Sequence, residues 1–570
     1  MFIYYLRNIF SVLEKKHKIA ACFLLFLFLT TMLFEAFSIT LFIPISSLIL
    51  NDNITDNNFI NVIFEKFNLS KDFFLFDVKN FLIFLFIFFL IRFLLINLTS
   101  WLKLYYSFSL NTFLINKLFK KYLSLSYKDF IKKNSSKYLE YLNFDVGIFF
   151  SGFLQLLELF LETLVLTGII IILLIYNFKI TLYSIIFLAS LSIIFTLITK
   201  KKVITLGNEV RILEQQRYKN YIESFSLIKE IKIFNIKNFF IHKDFKFTSN
   251  FYFKDILSKF IRQLPRPFLE FLTLSTFIIF IFIFLNNLEV KKIIELIAVF
   301  GFATLRILPS INRILNSIQI IKYSLPASNN IISECNSIVS GSGNDKRLLN
   351  LTRIENSIKL KNINIEFDSS KKILNDLNFE FKINKLYGIK GRSGVGKSSL
   401  INIICGLSNP DKGEILYDNK DISKINLVSL YNLIGYVPQN TSLLDDTIKN
   451  NILFGYSDFS DSEILEVCEK AEIKDLINNS SQKLETIIGE KNNKISGGEA
   501  QRIGIARALL RKPNILILDE SFNALDDQVT DKILKNLISK KHNKIILIVT
   551  HEKKVLDYCD EIIDLNESRK

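Results

Sequence analysis

Gly391-Arg-Ser-Gly-Val-Gly-Lys-Ser398 has the GxxxxGK[ST] spacing of a loop that wraps phosphates. Gly391, Gly394 and Gly396 let backbone N–H groups approach an anion, and the helix expected over Ser399 to Leu407 turns its positive end toward the same charge. Ser393, Val395 and Ser399 complete the nucleotide-contacting stretch. Lys397 would reach the outer phosphates and Ser398 would offer a hydroxyl to magnesium. A second apolar run, Ile515-Leu-Ile-Leu-Asp-Glu520, ends in two carboxylates. Asp519 suits magnesium held through its water shell, and Glu520 suits the orientation or activation of an attacking water. Adjacent acids at a strand end are common, so the pair gains meaning only beside Ser496, Gly497 and Gly498.

Stepping these residues into place requires a parallel sheet. Ile515 to Glu520 reads as a buried parallel strand from its continuous apolar run, and Leu386 to Ile389 and Ile545 to Val549 read as apolar strands. This soluble α/β P-loop nucleotide-binding domain is expected over 354–570. Ahead of it, 326–353 reads as a linker whose glycines and serines near Ser340-Gly-Ser-Gly-Asn-Asp345 discourage regular structure.

Residues 1–325 are of another kind. At 570 residues with half of them hydrophobic, the chain concentrates its apolar runs, and most of its 55 phenylalanines, in this first part. Six stretches meet the ~20-residue requirement of a spanning helix: 19–48, 81–106, 153–177, 180–199, 267–286 and 293–316. The fold class is therefore a six-helix, all-α membrane domain followed by the α/β domain. The first span is too long for a signal peptide and should be retained. Lys15, Lys16 and Lys18 and the basic segments 103–150 and 200–263 mark the cytoplasmic side, which places the N-terminus and the nucleotide domain there. The net charge of +16 lies mostly between spans rather than on one patch, which argues against a nucleic-acid partner. Five cysteines, an odd number without paired spacing, indicate no disulfide framework or zinc site.

The inner segments carry helical periodicity beyond the bilayer, as in Tyr218, Ile222, Phe225, Ile228 and Ile231, and should be long helical extensions. In the first external loop, Phe59, Ile60, Ile63, Phe64 and Phe67 share a helix face that suits either the outer membrane surface or a small packed loop. His17, His242 and His542 sit among charges and read as solvated surface.

With every motif in order over 355–565, the sequence resembles the ATP-binding-cassette family. Ile495-Ser-Gly-Gly-Glu499, ahead of Ala500-Gln-Arg-Ile-Gly-Ile-Ala-Arg507, is similar to the family's LSGGQ signature, with Ile for Leu and Glu for Gln. The resemblance implies a magnesium-linked glutamine loop at Gln439, a loop toward the partner subunit at Asn523-Ala-Leu-Asp526, and a switch histidine at His551. It implies that Phe367 stacks on adenine, although a core strand residue would look the same. Thr486 to Glu490 resembles the T-x-V-G-E segment of exporters, with Ile488 for Val. The family expectation is thus a type IV half-transporter that hydrolyses ATP with Mg2+ in composite sites. Since each site takes a phosphate loop from one chain and a signature from another, the expected partner is a second identical subunit, a homodimer in the inner membrane.

The membrane part resembles bacterial flippases of polyprenyl-pyrophosphate-linked oligosaccharides at Glu35 to Pro44 and at Leu305-Arg-Ile-Leu-Pro-Ser-Ile-Asn-Arg313. Export of lipid A, peptide or drug is the alternative substrate reading, and an ATP-gated channel or regulatory membrane subunit is an alternative of another class. Charges inside a membrane cost about 2.5–3.5 kcal/mol each on insertion scales and usually face the bundle interior or a wet cavity. Arg92, Arg306 and Arg313 lie in or beside spans, and Arg266 stands at the mouth of the fifth. Their planar donors would suit a pyrophosphate. The competing expectation pairs them internally with Glu35, Glu158, Glu162, Glu270 or Glu295 and lets Arg266 and Arg313 snorkel to the interface.

Overall fold

The computed structural model describes residues 14–41, 78–176, 178–268, 270–271, 275, 290–336, 349–367, 371–489 and 495–566. They fall into two compact units, one of 1–124 with 132–339 and one of 125–131 with 340–570.

The first unit is helical. Its long helices are α1 (Lys15–Thr40), α2 (Val78–Leu123), α3 (Val146–Tyr176), α4 (Phe178–Ser226), α5 (Lys237–Gln263) and α6 (Val290–Asn336). At 49 residues α4 is ~74 Å long, more than twice the ~30 Å hydrocarbon layer, so much of it must project into water. Among the described residues, three stretches are long and apolar enough to cross a membrane: Lys15–Ser38, Leu82–Leu123 and Ser135–Ile175. The spans expected at 180–199 and 293–316 fall within α4 and α6. Most of the fifth, the end of the first, the external-loop residues 59–67 and the Gly-Ser connector lie outside the described residues. Helix α6 continues to Asn336, so the first part of the stretch read as linker is helical.

Helices α3 and α6 run antiparallel along a polar seam. Asn330 donates to Asp145 at 3.5 Å and Ser317 to Gln155 at 2.9 Å, while Arg313 meets Glu162 at 2.7 Å. Helix α4 crosses α6 at Gly207, where an added Cβ would lie 2.4 Å from the Tyr323 carbonyl oxygen. That contact is backbone and cannot swing aside. Gly207→Ala should therefore lower stability by about 1–3 kcal/mol, read as a reduced Tm of the full chain, and an unchanged Tm would refute the close approach.

Two expectations about this unit need correction. His17 is 4% exposed, not solvated: its ring packs 5.0 Å from Phe113, and its carbonyl accepts from the Tyr106 hydroxyl. Desolvation lowers its pKa. The expected helical extension is present as far as Ser226, where α4 ends, and the periodic stretch 218–231 is interrupted at Leu227 before a separate short helix over Ile228–Ile233. Phe225 and Ile228 are exposed while Ile231 is buried, so the apolar residues do not form a single covered stripe.

In the second unit a five-stranded parallel sheet has the order β8-β3-β7-β6-β5, with β3 Lys385–Lys390, β5 Ile434–Val437, β6 Ile515–Asp519, β7 Ile545–Val549 and β8 Glu561–Asp564. Strands β6 and β7 are apolar throughout their buried positions because helices cover both faces. An antiparallel sheet pairs β1 (Ser357–Phe367) with β2 (Lys371–Lys382) and with β4 (Lys412–Tyr417).

Candidate nucleotide site

The site grows out of the C-terminal edge of the parallel sheet, where ligands of open α/β sheets bind. Strand β3 delivers the chain into the phosphate loop, and α7 (Lys397–Ile404) leaves it. Gly394 and Gly396 adopt φ of 76° and 113°, which a β-carbon disfavours. A Cβ on Gly396 would also meet Ile373 at 2.5 Å. No side chain caps α7, whose N-cap is Gly396 itself, so its first N–H groups are left to an anion. The cradle therefore fits a nucleotide phosphate.

Strands β6 and β7 pair in register from Ile515↔Ile545 to Asp519↔Val549, and so deliver Asp519, Glu520 and His551 to one edge. Glu520 has φ +48°, a left-handed conformation that is costly for a side-chain-bearing residue. Its N–H donates to the Val549 carbonyl at 2.9 Å, which ties it to β7. Its carboxylate accepts from Gln439 Nε2 at 2.8 Å and lies 3.4 Å from Lys397 Nζ and 3.7 Å from His551 Nε2. Lys397 also donates to the Gly391 carbonyl at 2.9 Å and contacts His551 Nε2. Lys397, Gln439, Glu520 and His551, distant in sequence, thus form one polar cluster. Asp519 beside it has a pKa above the ordinary carboxylate value, chiefly through burial and also through the Glu520 charge, opposed by the Tyr436 hydroxyl and Lys397.

Two contacts were not anticipated. The Tyr436 hydroxyl donates to Asp519 Oδ2 at 3.3 Å. Gln501, on helix α8 (Gly497–Leu510), is 4% exposed and donates to the carbonyls of Pro438 at 3.1 Å and Gln439 at 3.3 Å, which anchors the glutamine loop to the signature helix. The polar Gln501 on an otherwise buried helix face was the available signal.

Ser496 is the exposed N-cap of α8. Its backbone and hydroxyl donate to Glu499 at 2.7 and 2.9 Å, and its Oγ accepts from the Glu499 N–H, a reciprocal capping box. Gly498 needs its missing Cβ because the Ala524 carbonyl would lie 2.7 Å from it, and Gly497 beside it is exposed. Ser393 and Ser398 are exposed, Ser399 is half-buried, and Val395 is buried within the loop. Phe367 closes β1, and its side chain lies outside the described residues.

Three of the four arginines make ion pairs. Arg92 meets Glu35 at 2.7 Å, Arg313 meets Glu162 at 2.7 Å, and the exposed Arg266 meets Glu270 one turn on at 3.0 Å. Lys103 pairs with Glu158. The side chain of Arg306 lies outside the described residues. These pairs are the internal arrangement weighed against a pyrophosphate belt.

Residues 374–523 match the ABC transporter family. An export ATP-binding/permease protein of Rickettsia typhi is 40% identical over 215 residues, 37% of this chain and 37% of that protein. The ABC transporter B family member 24, mitochondrial, of Arabidopsis thaliana is 35% identical over 225 residues, 40% of this chain and 33% of that protein. The matches thus span about a third of the length of these curated relatives. A bacterial Atm1-family ABC exporter with ATP bound, 19% identical, superimposes with a TM-score of 0.78 over 97% of this chain and 94% of that one. Residues 374–523 are thus similar to an ABC transporter domain, and nearly the whole chain has the fold of that ABC exporter structure.

Proposed function

We propose that the chain is an ATP-hydrolysing exporter that works as a pair of identical copies in the inner membrane, with its N-terminus and nucleotide domain in the cytoplasm. The observation that carries this reading is the cluster of Lys397, Gln439, Glu520 and His551 at the edge of an uncapped phosphate cradle. Lys397 and the amides of 394–399 would hold the phosphates, and Ser398, Gln439 and Asp519 would hold magnesium. Magnesium, when bound, neutralises charge that develops on the terminal phosphate. Glu520, held by Gln439 and the backbone of β7, orients the attacking water and accepts its proton, while His551 contacts the terminal phosphate. Ser496, Gly497 and Gly498 of the second copy complete each site, so ATP binding biases the pair toward closure and the long helices carry the shift to the membrane.

For the substrate we retain a polyprenyl-pyrophosphate-linked oligosaccharide moved from the cytoplasmic to the outer leaflet, on the resemblance at Glu35 to Pro44 and Leu305 to Arg313. The ion pairs of Arg92, Arg266 and Arg313 do not support a pyrophosphate role for those residues, which we read as framework. Lipid A, peptide or drug remains the alternative cargo. The test is transport by the purified chain in sealed vesicles. ATP-dependent movement of a pyrophosphate-linked glycolipid, and not of lipid A, is expected. The reverse preference would overturn the substrate, and movement indifferent to ATP would overturn the exporter.

A further inference from the structure

The first unit buries more acid than base at one junction of three helices. Between a short helix (Ser135–Leu139) and α3 the chain makes a π-helical turn, Glu140–Asp145, in which the Val146 N–H donates to the Tyr141 carbonyl. Residues five apart diverge by about 140° around an α-helix, whereas a π-turn brings them near one side. Glu140 and Asp145 stand at its two ends and are both fully buried. Both face one cation: Arg211 of α4 lies 3.1 Å from Glu140 and 3.6 Å from Asp145. From α6, Asn330 donates to Asp145 at 3.5 Å.

The remaining neighbours do not restore neutrality. Lys137 on the short helix acts on both acids from a distance, while Glu214 of α4 adds negative charge and is engaged by Arg217 at 2.5 Å. Glu334 of α6 is held by Lys121 of α2 and by Lys133. Tyr122 of α2 and Tyr141 are neutral phenols that burial pushes further up. Glu140 Oε2, Asp145 Oδ1 and Arg211 Nε are all buried with no hydrogen-bond partner among the described residues. An uncompensated buried charge and orphaned acceptors are each costly. One proton removes the excess charge and supplies a donor.

We infer that Glu140 and Asp145 with Arg211 form a proton-binding site that holds one proton in the folded chain and ties the packing of α3, α4 and α6 to pH. Burial, with Asp145 adding to it, raises Glu140 from 4.5 to about 7, and burial raises Asp145 against the pull of Arg211. The pair titrates as a unit. A raised folded-state value means that the stabilisation is fully present below the unfolded value of 4.5 and is lost as pH rises through about 7.

The experiment is thermal unfolding of the full-length chain in detergent between about pH 5 and about pH 8, comparing wild type, Glu140→Gln, Asp145→Asn and the double variant. The wild-type Tm should fall across this range by several degrees more than that of the double variant, with Glu140→Gln removing most of the difference. Parallel curves for all four would overturn the inference. If the variants do not fold, infrared difference spectra of the wild type decide: a protonated carboxyl band present near pH 6 and gone by about pH 8 is expected, and its absence near pH 6 overturns the site.

Discussion

Glu520→Gln is expected to bind ATP as tightly as the wild type and to hydrolyse it about 10²–10⁴-fold more slowly. The substitution conserves volume and the oxygen that accepts from Gln439, so the 2.8 Å contact and the tie of the backbone to Val549 need not change. What disappears is the negative charge that lies 3.4 Å from Lys397 and that can take a proton from water. Binding rests on the cradle of Gly391 to Ser398, which the variant leaves intact. Filter binding with labelled ATP and steady-state hydrolysis separate the two effects. Near-normal turnover would remove Glu520 from the chemistry, whereas lost binding would mean that the charge holds the cradle in shape.

The second large effect concerns the pair Glu162–Arg313. Glu162 is 3% exposed, and its Oε2 has no other partner among the described residues, so it depends on the guanidinium 2.7 Å from Oε1. Removing Arg313 alone leaves a carboxylate uncompensated against α3 and α6, a loss of roughly 3 kcal/mol for a pair that is partly open on the arginine side. Arg313→Met should lower Tm sharply. The double variant Glu162→Gln with Arg313→Met should recover most of the loss, because no charge is then stranded. Transport decides between framework and recognition: a stable double variant that moves substrate at the native rate places Arg313 in the framework, and a stable one that has lost transport returns it to the substrate.

Much of this architecture was legible because the nucleotide unit carries its chemistry in short local patterns. The run Ile515 to Glu520 and the run Ile545 to Val549 read as strands from their apolar residues; the structure has strands over Ile515–Asp519, one residue shorter than that reading, and over Ile545–Val549. Lys397 and Glu520 lie 123 positions apart, yet each motif fixes its own loop at a strand end and the parallel register then brings them together. Partners from unrelated helices were less legible. The seat of His17 against Phe113 and Tyr106 depends on how α1 meets α2, and its charged neighbours in sequence pointed the other way. The arginines presented the same difficulty: sequence names the candidate glutamates, but only the antiparallel register of α3 with α6 selects Glu162 for Arg313. The anchoring role of Gln501 was hidden because its acceptors are backbone carbonyls, which any sequence supplies.

The proposed composite site of two copies is tested most directly by mixing two inactive chains. Lys397→Ala disables the phosphate loop and leaves the signature intact, while Gly498→Asp disables the signature, where the Ala524 carbonyl leaves no room for a side chain. Under the proposed pairing of two copies, each chain alone gives dimers in which both composite sites are broken. In a mixed dimer, purified through two different tags, one site collects both defects and the other collects none. A composite site requires that mixed dimers hydrolyse ATP at about half the wild-type rate if the sites act independently, far above either parent. Mixed dimers as inactive as the parents would contradict it.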